Sequence, residues 1–517
     1  MKRTNRLKGL RLLFAILFFI PILLYFVDFA RVVPEYARVL LHLQIVPAIL
    51  AGAMGILVFQ FLLVLVFGRI YCSVICPAGV FQDVANRLFC MGKKKKKGSR
   101  RFTFRRPLNI LRYAVLGLAV VLALLGVIDL VLGLDPYSNF GRMASNLFRP
   151  AVMWGNNLLA DALMKIDNYS LYHVTVSTVS VAGIAAGVVA LLVFCLMAIW
   201  RGRLFCNTLC PVGALLSLVS RYSFFRISFD RSMCNGCGNC ERSCKAEAID
   251  SKAMTVDTSR CITCFNCTST CPKKSLKYRF NPFSGKDSRP AAADKKEVVN
   301  SRRSFLSTGA TVALSLPAVS AVAQAANGRA HRGGTPVTPP GSISLSRFKE
   351  KCTACHICVV KCPSQVLVPA GLEFGFGYLL RPYVSYKSHY CNYECTVCFD
   401  VCPVHALKPL TVEEKKTTQV GIATFHKGRC IVHTEGTDCG ACSEHCPTQA
   451  VHMVPYSGVL TIPKVEEELC IGCGGCESIC PVKPLRAIVV QANEEHRLVK
   501  MPEVEEVKEI EIEDFGF

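Results

Sequence analysis

Two cysteine runs near the middle of the chain, CNGCGNCERSC from residue 234 and CITCFNCTSTCP from residue 261, share the spacing C-x2-C-x2-C-x3-C. Thiolates are soft ligands suited to iron, and a cubane cluster presents four iron corners. A tight loop brings three thiolates to one cube, and the fourth cysteine reaches the neighbouring cube. Cys234, Cys237, Cys240 and Cys271 are therefore expected to hold one [4Fe–4S] cluster, and Cys261, Cys264, Cys267 and Cys244 another. Zinc ribbons also use C-x2-C pairs, but not two such quartets with the last cysteine before proline.

Four more quartets follow residue 350: Cys352, Cys355, Cys358 and Cys362; Cys391, Cys395, Cys398 and Cys402; Cys430, Cys439, Cys442 and Cys446; Cys470, Cys473, Cys476 and Cys480. All four end in Cys-Pro, and the third carries an insertion between its first two cysteines. Six quartets use 24 of the 30 cysteines, so six [4Fe–4S] clusters are expected and almost no thiol is left for disulfides. CTACH at 352–356 matches the pattern of c-type haem attachment. Cys358 and Cys362 complete a quartet around it, so His356 is read as a loop residue beside a cluster.

A different cysteine pattern occurs twice. GRIYCSVICPAGV contains Cys72 and Cys76, and GRLFCNTLCPVGA contains Cys206 and Cys210, 134 residues further on. Each copy follows an apolar helix pair, which makes the first 228 residues an internal repeat. Paired thiols at i and i+4 share a helix face. They can bind metal, hold a cluster jointly, or cycle as a disulfide, and the alternative is a small-residue packing site ended by proline.

These sites need elements to carry them. A chain of 517 residues with 51% hydrophobic content divides into several domains, and its hydrophobicity is high for a soluble protein. Four stretches are apolar over about 20 residues, enough to span a bilayer: Leu10–Ala30, Ile45–Val66, Leu111–Leu132 and Val179–Trp200. Basic residues flank them at the N-terminus, in MGKKKKKGSRRFTFRR after the second, and in RGR after the fourth. The positive-inside rule then puts both ends of this unit in the cytoplasm. Residues 1–326 carry a net charge of +26 and residues 327–517 a net of −3. Because the excess flanks apolar segments, it speaks for membrane topology and against nucleic-acid binding.

At residue 301 stands SRRSFLSTGATVALSLPAVSAVAQA. Arg302, Arg303, Phe305 and Leu306 resemble a twin-arginine export signal, and Ala323–Ala325 offers a cleavage site. Such a signal suits folded cargo, as a cluster-bearing domain must be. The fold expected is thus an α-helical membrane bundle of four spans, with a fifth if the signal is retained, joined to α+β ferredoxin modules of two and four clusters. Residues 1–228 form the membrane domain and 229–280 a cytoplasmic two-cluster domain. A basic linker covers 281–303, the signal or fifth span 304–326 and a second linker 327–346. Residues 347–500 form an extracytoplasmic four-cluster domain, and 501–517 an acidic tail.

With these motifs in hand, residues 1–280 resemble the NapH-type membrane ferredoxins of periplasmic nitrate reductase systems, through the four spans, both C-x3-C-P motifs, LDPYSNFGR at 134–142 and the paired quartets. Residues 301–500 resemble the NapG-type exported ferredoxins, so the whole resembles a fusion of the two. The NapH type is also similar to the core of the nitrous-oxide reductase accessory protein NosR, whose flavin-bearing domain has no match here. The resemblance implies a multi-pass inner-membrane protein that oxidises quinol, with quinol as substrate and the quinol pool as one partner, a quinol dehydrogenase role within an electron-transfer subunit. Electrons would pass to a periplasmic reductase or cytochrome. An accessory protein that reduces or assembles a periplasmic metalloenzyme is the second reading, supported by the C-x3-C-P thiols. Asp135, at the outer end of the third span, could accept quinol protons or merely cap a helix. In four-quartet ferredoxins like the exported region, the first quartet pairs with the fourth and the second with the third. Carried over, Cys480 completes the first loop, Cys446 the second, Cys402 the third and Cys362 the fourth. Sequential pairing, first with second and third with fourth, is the alternative.

The export reading has a direct consequence. Changing Arg302 and Arg303 to Lys should trap residues 347–517 inside the cell, so that protease added to spheroplasts no longer cuts them. Continued export of the double variant would rule out the twin-arginine route.

Overall fold

The computed structural model describes residues 6–91, 102–126, 129–176, 180–281 and 334–500. The export-type segment, nearly all of the first linker, the start of the second, the lysine-rich loop and the acidic tail lie outside the described residues. The chain divides into two compact units: residues 1–334, 346–383 and 397–407 form the first, and 335–345, 384–396 and 408–517 the second.

In the first unit, two helices are long and apolar enough to cross a membrane, Arg6–Val27 and Val181–Arg201. The other two apolar stretches are not uninterrupted spans. Ile45–Val66 divides into Ile45–Ala51 and Met54–Phe67, where Gly52 at φ 70° ends the first helix in a left-handed cap. Leu111–Leu132 becomes Asn109–Leu124 and a single turn at Asp129–Leu132. The expected bundle of four full spans is therefore seen as two long helices and two shorter apolar ones.

The helix Arg6–Val27 ties this unit together from end to end. Near its start, Lys8 Nζ donates to Ser269 Oγ at 3.4 Å, in the paired-quartet region. Just past its other end, Asp28 accepts from Lys361 Nζ at 2.8 Å, beside Cys362, and that ammonium lies 4.1 Å from the Tyr25 ring centroid. Twenty residues of helix separate these contacts, about 30 Å at 1.5 Å per residue, the thickness of a bilayer core.

Polar groups inside this unit are matched by charge. Asp83, on the helix Pro77–Met91, accepts from Arg203 Nε at 2.9 Å and Arg11 Nη2 at 2.6 Å, with Lys245 Nζ at 3.3 Å. Arg201 pairs with Glu247, its Nε 3.0 Å from Oε2. These links join the N-terminal helix, the repeat and the segment after Cys244.

The paired-quartet region closes as a small ferredoxin-like module. Strand Phe225–Phe229 runs antiparallel to Leu276–Phe280, from Phe225 opposite Phe280 to Phe229 opposite Leu276. A short hairpin pairs Ile249–Asp250 with Thr255–Val256, and helices Asn239–Ser243 and Asn266–Thr270 carry the third cysteine of each loop. In the second unit, Thr418–Phe425 pairs antiparallel with Ile488–Leu498, and Val451–Ser457 with Leu460–Val465. These α+β modules agree with the expected fold.

Asp83 is the point where removal should be felt most. Taking one partner from a buried ion network costs about 3–5 kcal/mol, because the remaining charges stay buried and unmatched. Asp83→Ala should lower the thermal unfolding midpoint of the detergent-solubilised chain accordingly, and an unchanged midpoint would show that these three cations need no carboxylate.

Candidate iron–sulfur sites

The cysteine loops share a backbone device. In the loops that begin at Cys234, Cys261, Cys352 and Cys470, the residues just before and just after the second cysteine have positive φ. They are Gly236 and Gly238, Thr263 and Phe265, Ala354 and His356, and Gly472 and Gly474. Two left-handed residues turn a three-cysteine stretch into a cup with its sulfurs inward. Glycine adopts this freely, whereas Thr263, Phe265, Ala354 and His356 hold it at a cost of about 1–3 kcal/mol each. Backbone amides point at the sulfurs: Ala248 N to Cys244 Sγ at 3.4 Å, Ala354 N to Cys352 Sγ at 3.5 Å and Ala423 N to Cys470 Sγ at 3.5 Å.

The first two quartets join as expected. Cys244, Cys261, Cys264 and Cys267 line one apolar cavity with Ile227, Ile249 and Val256. Cys240 lies within electrostatic reach of Cys234 and Cys271, two of its three partners in the other set. Burial pushes the Cys261 and Cys244 thiols up to about 12. A thiol so placed loses its proton readily only when a metal cation binds the thiolate, and four such thiols are the donor set an iron–sulfur cluster would need.

The nested pairing of the last four quartets is corrected. Cys402, not Cys480, is the neighbour of Cys352, Cys355 and Cys358. Cys480 lines a cavity with Cys430, Cys439 and Cys442. Cys446 shares another with Cys470, Cys473 and Cys476. Cys402 of the second quartet thus completes the first loop, and the third and fourth quartets exchange their last cysteines. The physical reason is local: a fourth cysteine joins the loop adjacent to its own in sequence, forward for Cys244 and Cys446 and back for Cys402 and Cys480.

The first of these loops rests on the LDPYSNFGR segment. Arg142 Nε donates to the carbonyl of Ala354 at 3.1 Å. Asn146 Nδ2 donates to His356 Nδ1 at 2.9 Å, and His356 Nε2 donates to the Leu380 carbonyl at 2.9 Å. Both ring nitrogens are thereby used. Burial, with Arg142 nearby, drops His356 to about 3, so it stays neutral. This agrees with a loop residue and not a haem ligand. Asp135 caps the helix Pro136–Met143, its carboxylate accepting from Tyr137 N at 3.3 Å, Ser138 N at 2.8 Å and Ser138 Oγ at 2.5 Å. Burial raises its pKa. Its oxygens are committed to this cap, one of the two roles expected of it.

Cys72, Cys76, Cys206 and Cys210 come together inside the first unit, each 4% exposed and none in a disulfide. Sequence reasoning passed over the arginines beside them. Arg69 and Arg203 stand three residues before the first cysteine of each copy, and the repeated Gly-Arg was the signal that could have found them.

Comparison with known proteins supports iron–sulfur binding in several parts of the chain. A family model described as a 4Fe-4S binding domain matches twice, at residues 46–98 and 183–231, the two copies of the repeat. Models described as 4Fe-4S dicluster domains match residues 226–272 and 436–484. The chain is similar to the ferredoxin-type protein NapF of Escherichia coli K12, at 28% identity over 166 residues, 32% of this chain and 93% of that protein. It is similar to the ferredoxin-type protein NapG of the same strain, at 29% over 190 residues, 35% of this chain and 81% of NapG. It is also similar to the methylamine utilization ferredoxin-type protein MauN of Methylobacillus flagellatus, at 32% over 195 residues, 37% of this chain and 54% of MauN. No solved structure matches the chain. The chain therefore carries 4Fe-4S domains of the ferredoxin type, and its relatives are the ferredoxin-type proteins of the Nap and Mau groups.

The corrected pairing is open to a double-variant test. Cys352→Ala combined with Cys402→Ala should remove one cluster, about four irons, because both residues serve the same cube. Nested pairing would remove about eight.

Proposed function

We propose that this protein is a membrane-bound iron–sulfur electron carrier that takes electrons from quinol and passes them to a reductase or cytochrome outside the cytoplasm. Six [4Fe–4S] clusters carry the electrons, and their chemistry is one-electron transfer at potentials set by the surrounding protein. Five of the six sets follow from the pairings above. The chain is read as a fusion of NapH-like and NapG-like parts in the inner membrane. It crosses several times, with residues 229–280 on the cytoplasmic side and 347–517 on the periplasmic side.

One observation carries this reading. The apolar helix Arg6–Val27 touches the paired-quartet module through Lys8 and Ser269 near its start, and the first exported-type loop through Asp28 and Lys361 just past its other end. A helix of bilayer length with a cluster module at each end is what a carrier between two sides of a membrane needs. The Arg142 and Asn146 contacts hold the first loop against the helical part, which keeps its sulfurs at a fixed depth. The accessory reading loses its main support, because the C-x3-C-P thiols are buried and cannot reach a partner's disulfide or metal. The relatives named for methylamine utilization leave the acceptor open among extracytoplasmic oxidoreductases.

Anaerobic mixing of the full-length oxidised protein with a reduced short-chain quinol should bleach the visible cluster absorbance. Clusters that dithionite reduces but quinol leaves untouched would contradict the proposal.

A further inference from the structure

Each C-x3-C-P copy supplies two thiols, too few to ligate a cubane. The fold brings the copies together, and the arginine of each copy makes the same two contacts as its counterpart. Arg69 Nη2 donates to the Cys206 carbonyl at 3.1 Å and reaches Cys72 Sγ at 3.8 Å. Arg203 Nη1 donates to the Cys72 carbonyl at 2.9 Å and reaches Cys206 Sγ at 3.8 Å. Gly79 and Gly213, each in the helix that follows its cysteine pair, allow this close approach. A Cβ at Gly79 would stand 2.3 Å from the Cys72 carbonyl oxygen, and one at Gly213 would stand 2.1 Å from that of Cys206. Gly213 N also donates to Cys210 Sγ at 3.2 Å. Cys210 is within electrostatic reach of the other three thiols.

The surrounding charge is unbalanced in one direction. Arg69, Arg112 and Arg203 are each at most 1% exposed. Arg203 has Asp83, but among the described residues neither Arg69 nor Arg112 has a carboxylate at ion-pair distance; both donate to carbonyls such as that of Ser259. Arg69 Nε, Arg203 Nη2, Arg112 Nε and Nη1 and Gln82 Nε2 have no hydrogen-bond partner among the described residues. A buried cation without an anion is costly. Four thiolates around an iron–sulfur core carry a net negative charge and also accept hydrogen bonds at sulfur. No three His, Cys, Asp or Glu side chains among the described residues are gathered as a single metal ion requires. That holds for the ferredoxin quartets as well, whose thiols stand around a cube.

We propose that Cys72, Cys76, Cys206 and Cys210 jointly ligate one further iron–sulfur cluster inside the helical part of the protein. Its place is between the two sets of clusters. On one side, Arg69 Nη1 donates at 3.0 Å to the carbonyl of Ser259, two residues before Cys261, and Thr263 Oγ1 donates to the Phe67 carbonyl at 3.2 Å. On the other, Tyr71 lies within electrostatic reach of both Cys76 and Asp135, and Tyr137 within reach of Cys355. The turn Tyr71–Val74 packs on the helix Arg6–Val27 that spans the two modules. The site therefore divides the distance of about 30 Å set by that helix. Its exchange with a neighbouring cluster is of one electron, gained by one partner as the other loses it, with no change in bonds or protons. The two arginines are positioning residues that offset its negative charge.

The test reads metal content, so its outcome is independent of any reaction with quinol. The full-length protein, purified anaerobically, should contain iron and acid-labile sulfide beyond the about 24 irons of six cubanes. Cys76→Ser combined with Cys210→Ser should lose that excess and keep the rest. Arg69→Gln should keep the iron but shift the midpoint of one EPR-detected centre to lower potential, since a cation that favours the reduced cluster is gone. Iron at or below the six-cubane number in the parent protein, or one zinc per chain retained in place of iron, would overturn the proposal even if the cysteine variant failed to fold. So would an excess that survives the double serine variant.

Discussion

Several thiolates in one apolar pocket repel each other and are stripped of water, so the arrangement is stable only with cations among them. That constraint organises this protein. It explains why the cysteine loops are cups with left-handed corners, why backbone amides face the sulfurs, and why residues such as Phe265 and His356 are held at positive φ. It also explains how little else is needed. The two-cluster module has short strands, and its interior is largely the space the clusters fill.

The same electrostatics runs in the opposite sense in the helical part. There the buried groups include arginines, and Asp83, beside Arg203, also serves Arg11 and Lys245. The repeat places an arginine at the same step before each cysteine pair, so one interaction is made twice, once by each copy. Between this centre and the first exported-type loop lie Asp135, Tyr137, Arg142 and Asn146. They cap, pack and hold, which gives the LDPYSNFGR segment a structural task in docking a cluster loop.

Much of this was legible in the sequence. The quartet spacing named the ligands, and the pairing of Cys244 with the loop at Cys261 followed from the reach of the fourth cysteine. Gly-Arg in both repeat copies was visible, yet only the folded chain shows that Arg69 crosses to Cys206 and Arg203 to Cys72. Two features were misread. The cysteine pairing beyond residue 350 is sequential, because a fourth cysteine joins the adjacent loop in sequence and not a distant one. The second and third apolar stretches are shorter helices, since Gly52 breaks one and the other ends at Leu124; hydropathy averages over such breaks. Arg142 and Lys361 could not be found from spacing, as each acts on a segment more than 200 residues away.

The central claim is that the thiols of this chain hold iron–sulfur cubanes and that these exchange electrons. Mössbauer spectroscopy of the full-length protein, enriched in iron-57 and kept anaerobic, tests it most directly. Spectra dominated by the mixed-valence doublets of cubane clusters, changing reversibly on reduction by dithionite, are the expected result. Iron present mainly as isolated ferric or ferrous sites, or spectra indifferent to reductant, would contradict the account.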